Sequence, residues 1–335
     1  MEKEPFLTIG IASYNYAAYL AKAFARIKAQ QFTDFEVLYC DDGSTDESVS
    51  VIKQIIRENP GVRVRLVEGK NEGILANKNR ILDNACGKYL MICDADDYMM
   101  DDCLQPLCRA ALDKDADCVI GGFNEVDGNG ALLKAHIPPE NANKWLYIWH
   151  HIQIYKREIL QKNKIRFFEL PDDVCYLHQV HYYCQKVAFV NRALYCKVRH
   201  QDSTSSDFAS NPDWHPAAIW GKVVTATLKI MAQTENKADR QALTYFLYKW
   251  FFFNIADLPE PKIVDLQKQI KIIRAHMLRA CPDYRKCRRL IDAFQTGDTC
   301  FAKTAIAGCW FLEKLHLVAV IPKVRTAQRK LQFKK

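Results

Sequence analysis

Carboxylates crowd together at two places early in the chain. One is Asp41-Asp42-Gly43-Ser44-Thr45-Asp46, after Phe35-Glu36-Val37-Leu38-Tyr39-Cys40; the other is Asp94-Ala95-Asp96-Asp97, after Lys88-Tyr89-Leu90-Met91-Ile92-Cys93. Like charges held close repel and lose hydration, so such clusters persist where a divalent cation or a ligand's hydrogen bonds compensate. Aspartates two apart in a tight turn after a strand can aim their oxygens into one crevice. Hard oxygen donors suit Mg2+ or Mn2+, ions that commonly bridge phosphates. No GxGxxG follows the first apolar run and no GxxxxGK[ST] occurs, which disfavours a dinucleotide fold and a P-loop. Each cluster also has a plainer reading, with Asp96 or Asp101 as a helix cap and Asp41-Asp42 as a turn before a Ser44 cap. Two clusters, each closing an apolar run, favour a site. Ser13-Tyr14-Asn15 closes a third such run and adds an aromatic ring suited to the face of a nucleobase.

The elements that must position these residues alternate. Residues 7–12 read as a buried strand and 17–30 as a helix with Leu20, Phe24 and Ile27 at helical spacing. Residues 35–40 form a second strand. Ser44-Thr45-Asp46-Glu47 has the form of a capping box opening a helix that Asn59-Pro60-Gly61 stops. Strand 62–67, helix 74–85, strand 88–93, helix 104–112 and strand 118–123 follow. This alternation predicts a parallel sheet covered on both faces. Residues 126–133 read as a hairpin or a turn between short strands, 144–199 are rich in aromatics and histidine, and the chain is mainly helical from about residue 216. The aromatic run at 243–255 reads as a buried helix rather than a ligand platform, forming either an internal core or a dimer surface.

Taken together, Ile9-Gly10-Ile11-Ala12-Ser13-Tyr14-Asn15, Gln30-Gln31-Phe32-Thr33-Asp34-Phe35-Glu36, Asp41-Asp42-Gly43-Ser44-Thr45-Asp46, Asn71-Glu72-Gly73 and Asp94-Ala95-Asp96-Asp97 resemble, in order and spacing, a family-2 glycosyltransferase. The likeness covers residues 6–125 and continues more weakly to 206. It implies an α/β GT-A fold, with a mainly parallel sheet and helices on both faces, as the catalytic domain at residues 1–206. A mostly helical, basic region would follow at 207–335. It further implies a nucleotide-diphosphate sugar donor such as a UDP-sugar, inverting transfer of a hexosyl or hexosaminyl group, Mn2+ or Mg2+ as cofactor, and a glycan or lipid-linked acceptor in surface polysaccharide synthesis.

Residue by residue, the resemblance places Tyr14 on the base and Asp42 on its N–H, with Asp41 and Asn15 beside them. Ala12 stands where many members carry proline or threonine and would loosen a nucleoside contact. Lys78, in Asn77-Lys78-Asn79, stands where the family often has an arginine near the base or phosphates. Asp94 would touch the ribose or a metal-bound water and, with Asp96, the metal, with Ala95 between them. Pro171-Asp172-Asp173-Val174 resembles the family's acidic pair, giving Asp173 as general base and Asp172 as its neighbour. The usual pair is Glu-Asp, so the choice between the two stays open, as does a helix cap before residues 174–183. The segment 194–203 resembles the one that closes over the donor phosphates, with Arg199 on the diphosphate and His200 a further metal ligand. Trp214 and His215 would belong to the same lid.

Composition sets the remaining bounds. The 335 residues are 49% apolar and 26% charged, enough for a large core or two moderate ones. No basic-flanked apolar segment opens the sequence and no apolar run reaches bilayer-spanning length, so a cytoplasmic protein is expected. Thirteen scattered cysteines without a CxxC pair read as buried reduced thiols. Cys281, Cys287 and His276 match no usual zinc spacing. The net charge is +8, but residues 261–335 hold 17 Lys and Arg against 5 Asp and Glu, a balance of +12 that leaves −4 on residues 1–260. Residues 304–321 mix Trp310, Phe311, Leu312, Leu315 and Leu317 with charges, and Lys323, Arg325, Arg329, Lys330, Lys334 and Lys335 follow. Such a tail suits an anionic membrane surface as a peripheral contact, or a solvated helix packed on the catalytic domain. No nucleic-acid recognition motif accompanies it, so no nucleic acid is expected as partner. A catalytically silent sugar-nucleotide or glycan binder is the alternative to an enzyme.

Overall fold

The computed structural model describes residues 3–168, 172–199, 216–256 and 300–315, with single residues 271, 272, 274, 275, 278, 298 and 317. The chain divides into two compact units, Met1–Glu140 with Tyr147–Gln201, and Asn141–Leu146 with Asp202–Lys335.

In the first unit, β1 (Leu7–Ser13), α1 (Ala17–Lys28), β2 (Phe35–Asp41), α2 (Ser48–Glu58), β3 (Arg63–Glu68), α3 (Ile74–Asn84) and β4 (Tyr89–Asp94) alternate as the apolar pattern predicts. There follow β5 (Tyr98–Met99), α4 (Leu104–Asp113), β6 (Cys118–Asp127), β7 (Leu132–His136), β8 (Gln153–Lys156), α5 (Arg157–Lys162), α6 (Asp172–Tyr183) and β9 (Val187–Arg199). Among the described residues these strands form one nine-stranded sheet in the order β3-β2-β1-β4-β8-β6-β9-β5, with β7 beside β6. Every residue of β1 and β2 is buried, as strands covered on both faces require. The β6–β7 hairpin falls where the turn residues place it, closed by Asp127, whose carboxylate accepts the Asn129 and Ala131 N–H groups.

Two features depart from the pattern read from sequence. Only the β3-β2-β1-β4 half and the β6–β9 pair are parallel; β8 lies antiparallel between β4 and β6. A four-residue strand within an aromatic segment carries too little periodicity to be read beforehand. The Ser44-Thr45-Asp46-Glu47 run is no capping box. The helix starts at Ser48, whose N–H donates to Asp46 Oδ1 at 2.9 Å, while the Ser44 hydroxyl turns to Asp41 and Asn15.

The amino-terminal edge of the sheet is closed by Gly87. A Cβ there would lie 2.5 Å from Thr8 N and 2.7 Å from the Leu7 carbonyl carbon, both backbone atoms that cannot step aside, and the Gly87 N–H donates to Thr8 Oγ1 at 2.8 Å. Gly87→Ala is expected to cost about 3 kcal/mol of stability. An unchanged urea midpoint would contradict that packing.

The second unit is helical in its described part: α7 (Pro216–Gln233), α8 (Lys237–Ala256) and α9 (Cys300–Lys314). Tyr245, Phe246, Tyr248, Phe251 and Phe252 are buried, the packed helix expected of that aromatic run. Asp298 accepts from Tyr245 Oη and Lys249 Nζ, and Asp239 accepts from Trp145 Nε1. No helix among the described residues is long and apolar enough to cross a membrane. Phe311, Leu315 and Leu317 are exposed. The basic residues 323–335 lie outside the described residues, as do Cys281, Cys287 and His276. The described cysteines are all free, and most are buried.

Candidate functional site

The parallel register aligns three strand ends. Ala12 of β1 stands opposite Cys40 of β2 on one side and Asp94 of β4 on the other, and Ser13 opposite Asp41. The Tyr14 turn and both acidic clusters therefore leave the same carboxyl edge, the usual crevice of an open α/β sheet. Tyr14 is exposed and Ala12 and Ala95 are buried.

Hydrogen bonds fix the loops at this edge. Asn15 adopts φ 58°, a left-handed conformation that asparagine tolerates. Its Oδ1 accepts the Thr45 and Asp46 N–H groups, and its own N–H donates to Ser44 Oγ at 2.9 Å. Asp41 accepts from the Ser44 N–H and hydroxyl. Asp42 is buried and accepts the Glu72 and Gly73 N–H groups at 3.1 and 2.8 Å, with Arg80 Nη1 at 3.4 Å. A nucleobase N–H at Asp42 would thus be an additional donor to an already anchored carboxylate. These contacts also account for Asn71-Glu72-Gly73: Gly73 at φ 90° turns the backbone so that its N–H meets Asp42.

The Asn77-Lys78-Asn79 run on α3 fans out over about 200° of helix face and touches three elements. Asn77 Nδ2 donates to the Ser13 and Cys40 carbonyls, tying the ends of β1 and β2. Asn79 exchanges two hydrogen bonds with the Phe167 backbone. Lys78 is buried, with Nζ 3.2 Å from His150 Nε2 and over the Phe167 ring.

His150 lies at the centre of the site. It opens a 3-10 turn, His150–Ile152, and is 2% exposed. Its Nδ1 bonds Asp173 Oδ1, and its Nε2 is 3.4 Å from Asp94 Oδ1. Asp94 and Asp173 are each partly exposed over it. Burial opposes charge on the imidazole, but Asp173 and Asp94 outweigh it and push its pKa up to about 9. Burial likewise opposes the Asp173 carboxylate, and His150 holds it down to about 2; Asp94 is held well below the carboxylate range by His150 and Lys78 in the same way.

A second set of donors lies beside Asp94. One oxygen each of Asp94 and Asp97 and one nitrogen of His151 lie within 4.8 Å of one another. Asp97 Oδ1 accepts the Val198 N–H, whereas Asp97 Oδ2 and His151 Nε2 are buried with no hydrogen-bond partner. Burial, with Lys197 nearby, lowers the His151 pKa to about 3, leaving a neutral imidazole with a free lone pair. Two carboxylates and a neutral imidazole with orphaned acceptor atoms fit Mn2+ or Mg2+. Asp96 is half-buried and stands outside this set. Arg199, instead of facing these carboxylates, pairs with Glu125 at 2.9 Å. Lys197, two residues earlier on the same strand face, remains charged despite burial because Asp94, Asp173, Asp97 and Glu125 act on it. His200, Trp214, His215 and the Asp172 side chain lie outside the described residues.

Residues 8–194 match the model of Glycosyl transferase family 2. The chain belongs to that family. The hyaluronan synthase of Pasteurella multocida is 27% identical over 294 residues, 82% of this chain and 28% of that protein, so the chain spans less than a third of that relative. The crystal structure of S. aureus TarS 1–349 in complex with UDP-GlcNAc superposes with TM-score 0.68 at 16% identity, covering 96% of this chain and 92% of that one. The mannosyltransferase PcManGT from Pyrobaculum calidifontis, in complex with GDP-Man and Mn2+, does so with TM-score 0.50 at 16% identity over 99% and 89%. The fold of this family-2 glycosyltransferase is GT-A, with helices following it.

Within the family framework, Asp94 and Asp173 come together through His150. His150, His151, Lys197 and Arg80 carry no motif that marks them, and Asp97, although it closes the Asp94-Ala95-Asp96-Asp97 cluster, was given no role of its own. The faint signal was a His-His pair before a short apolar run in a histidine-rich segment, since paired histidines next to aromatics are more often core than site.

Proposed function

We propose that this chain transfers a hexosyl or hexosaminyl group from a UDP-sugar, with inversion, to a glycan or lipid-linked acceptor in surface polysaccharide synthesis. The observation that carries the proposal is the meeting of Asp94 and Asp173, both partly exposed, over His150 at the carboxyl edge of the sheet. UDP-GlcNAc bound to TarS and GDP-Man with Mn2+ bound to PcManGT support a sugar-nucleotide donor and a divalent ion.

On this reading Tyr14 stacks on the base and the Asp41-Asp42 loop meets its edge. Asp94, Asp97 and His151 would hold Mn2+ or Mg2+, with Asp96 and His200 as the family's alternatives. The ion would neutralise charge on the departing diphosphate. Lys197, held charged by the same carboxylates, is a further protein cation at the site beside Arg199, which the family resemblance puts on the diphosphate. Asp173 removes the acceptor hydroxyl proton as that oxygen attacks the anomeric carbon from the face opposite the diphosphate. We assign donor handling to the first unit and acceptor contact to the second, where exposed Phe311, Leu315 and Leu317 precede the basic residues 323–335 in sequence. That order suits peripheral contact with anionic lipid.

The test is release of UDP from a panel of UDP-glucose, UDP-galactose, UDP-GlcNAc, UDP-GalNAc and UDP-glucuronate. Turnover of at least one donor, abolished by EDTA and restored by Mn2+, is expected. No turnover of any donor, with or without Mn2+, would end the proposal.

A further inference from the structure

We infer that His150 is a positioning residue that aims the candidate base. The inference rests on the glycosyltransferase reading above and adds to it a part for a residue outside the family motifs.

Asp173 is the second residue of α6. A carboxylate in the first turn of a helix has a competing partner, since the first amides of that helix lack intrahelical acceptors and attract anionic side chains. Left to itself, Asp173 would fold back toward its own helix and lose its aim. His150 prevents this. Its Nδ1 bonds Oδ1, while among the described residues Oδ2 has no protein partner and the side chain is 25% exposed. One oxygen is therefore held and the other is presented to the cleft.

The opposite nitrogen fixes the other end. Nε2 lies 3.2 Å from Lys78 Nζ and 3.4 Å from Asp94 Oδ1, so a single rigid ring spans the carboxylate that closes β4 and the carboxylate that opens α6. In either protonation state Nδ1 can carry the hydrogen that Asp173 accepts: neutral, Nε2 accepts from Lys78; charged, Nε2–H donates to Asp94. The ring is too deeply buried to touch an acceptor, so His150 acts through Asp173. A second-layer group that orients a reacting carboxylate is a general device for keeping reacting atoms within the tolerance catalysis needs.

The test compares three substitutions in the full chain, using the UDP-sugar of the panel that the wild type cleaves fastest, with Mn2+. The amide nitrogen of asparagine falls near Nδ1 and that of glutamine near Nε2. His150→Ala is expected to lower kcat about a hundredfold with the donor KM within about threefold of wild type. His150→Asn should recover to within about tenfold of wild type, and His150→Gln should stay near the alanine level although it replaces more of the ring volume. A purely structural histidine would favour glutamine. Wild-type kcat in His150→Ala, or glutamine outperforming asparagine, would overturn the inference. A readout independent of turnover is the imidazole Nδ1 proton by NMR: a strongly downfield resonance in the wild type that vanishes in Asp173→Ala supports the contact, and its absence from the wild type overturns it. A wild type that cleaves no donor removes the functional reading, and the proton resonance still decides the place of His150.

Discussion

Asp173→Asn is expected to lower UDP-sugar turnover by about a thousandfold, the middle of the range for losing a general base, while UDP binding in the presence of Mn2+ stays within about threefold. The substitution keeps size and shape, and it keeps an oxygen that can accept from His150, so the packing beneath survives. What it removes is the capacity to take a proton. His150 holds the Asp173 carboxyl down to about 2 against the opposing effect of burial, so the group is ionised at neutral pH and ready to accept. The competing role, a helix cap at the start of α6, gives the opposite result, because asparagine caps a helix about as well as aspartate and turnover would be untouched. Asp172→Asn is the companion variant. If Asp172 were the base, the large loss would move there. Steady-state UDP release and UDP calorimetry on both variants decide among the three roles, and wild-type turnover in Asp173→Asn would remove it from the chemistry.

The parallel half of the sheet was legible because burial on both faces leaves unbroken apolar runs, and β1, β2 and β4 appear within a residue or two of where those runs lie. The acidic clusters were legible for a related reason: charge immediately after such a run has few places to go except the strand ends. What could not be read is pairing across long sequence separations. That β8 would insert antiparallel between β4 and β6 depends on how residues 118–156 fold back, and four residues carry no period. The same distance hides the site's centre. Lys78, Asp94, His150 and Asp173 come from α3, β4, a 3-10 turn and α6, and no local spacing links them. The Ser44 run shows the converse error, a local pattern overridden by a tertiary one. Asn15 and Asp41 take the serine that a capping box would use, so the loop serves the edge of β1 rather than the helix.

Asp94→Asn should be the second severe loss, about a thousandfold in kcat/KM, accompanied by weaker Mn2+ binding. Asp94 belongs to both constellations: its Oδ1 faces His150 Nε2, and it is grouped with Asp97 and His151 as cation donors. Losing its charge removes the anion that pairs with a charged His150 and leaves the cation a neutral, weaker oxygen donor in place of a carboxylate. The variants around it separate two ligand sets. If Asp94, Asp97 and His151 hold the ion, His151→Gln weakens Mn2+ at least tenfold by electron paramagnetic resonance titration, because a carboxamide is a poorer donor than the orphaned imidazole nitrogen, and Asp96→Asn leaves Mn2+ affinity unchanged. If the ion spans the Asp94-Ala95-Asp96 turn, the two results exchange places. His151 is packed against Phe123 and Tyr195, so His151→Gln needs a melting control; a variant that keeps the wild-type melting temperature and wild-type Mn2+ affinity would take His151 out of the donor set. The buried, unpartnered atoms Asp97 Oδ2 and His151 Nε2 favour the first result, since leaving both unpaired costs about 1–3 kcal/mol each, a cost that a bound cation would offset.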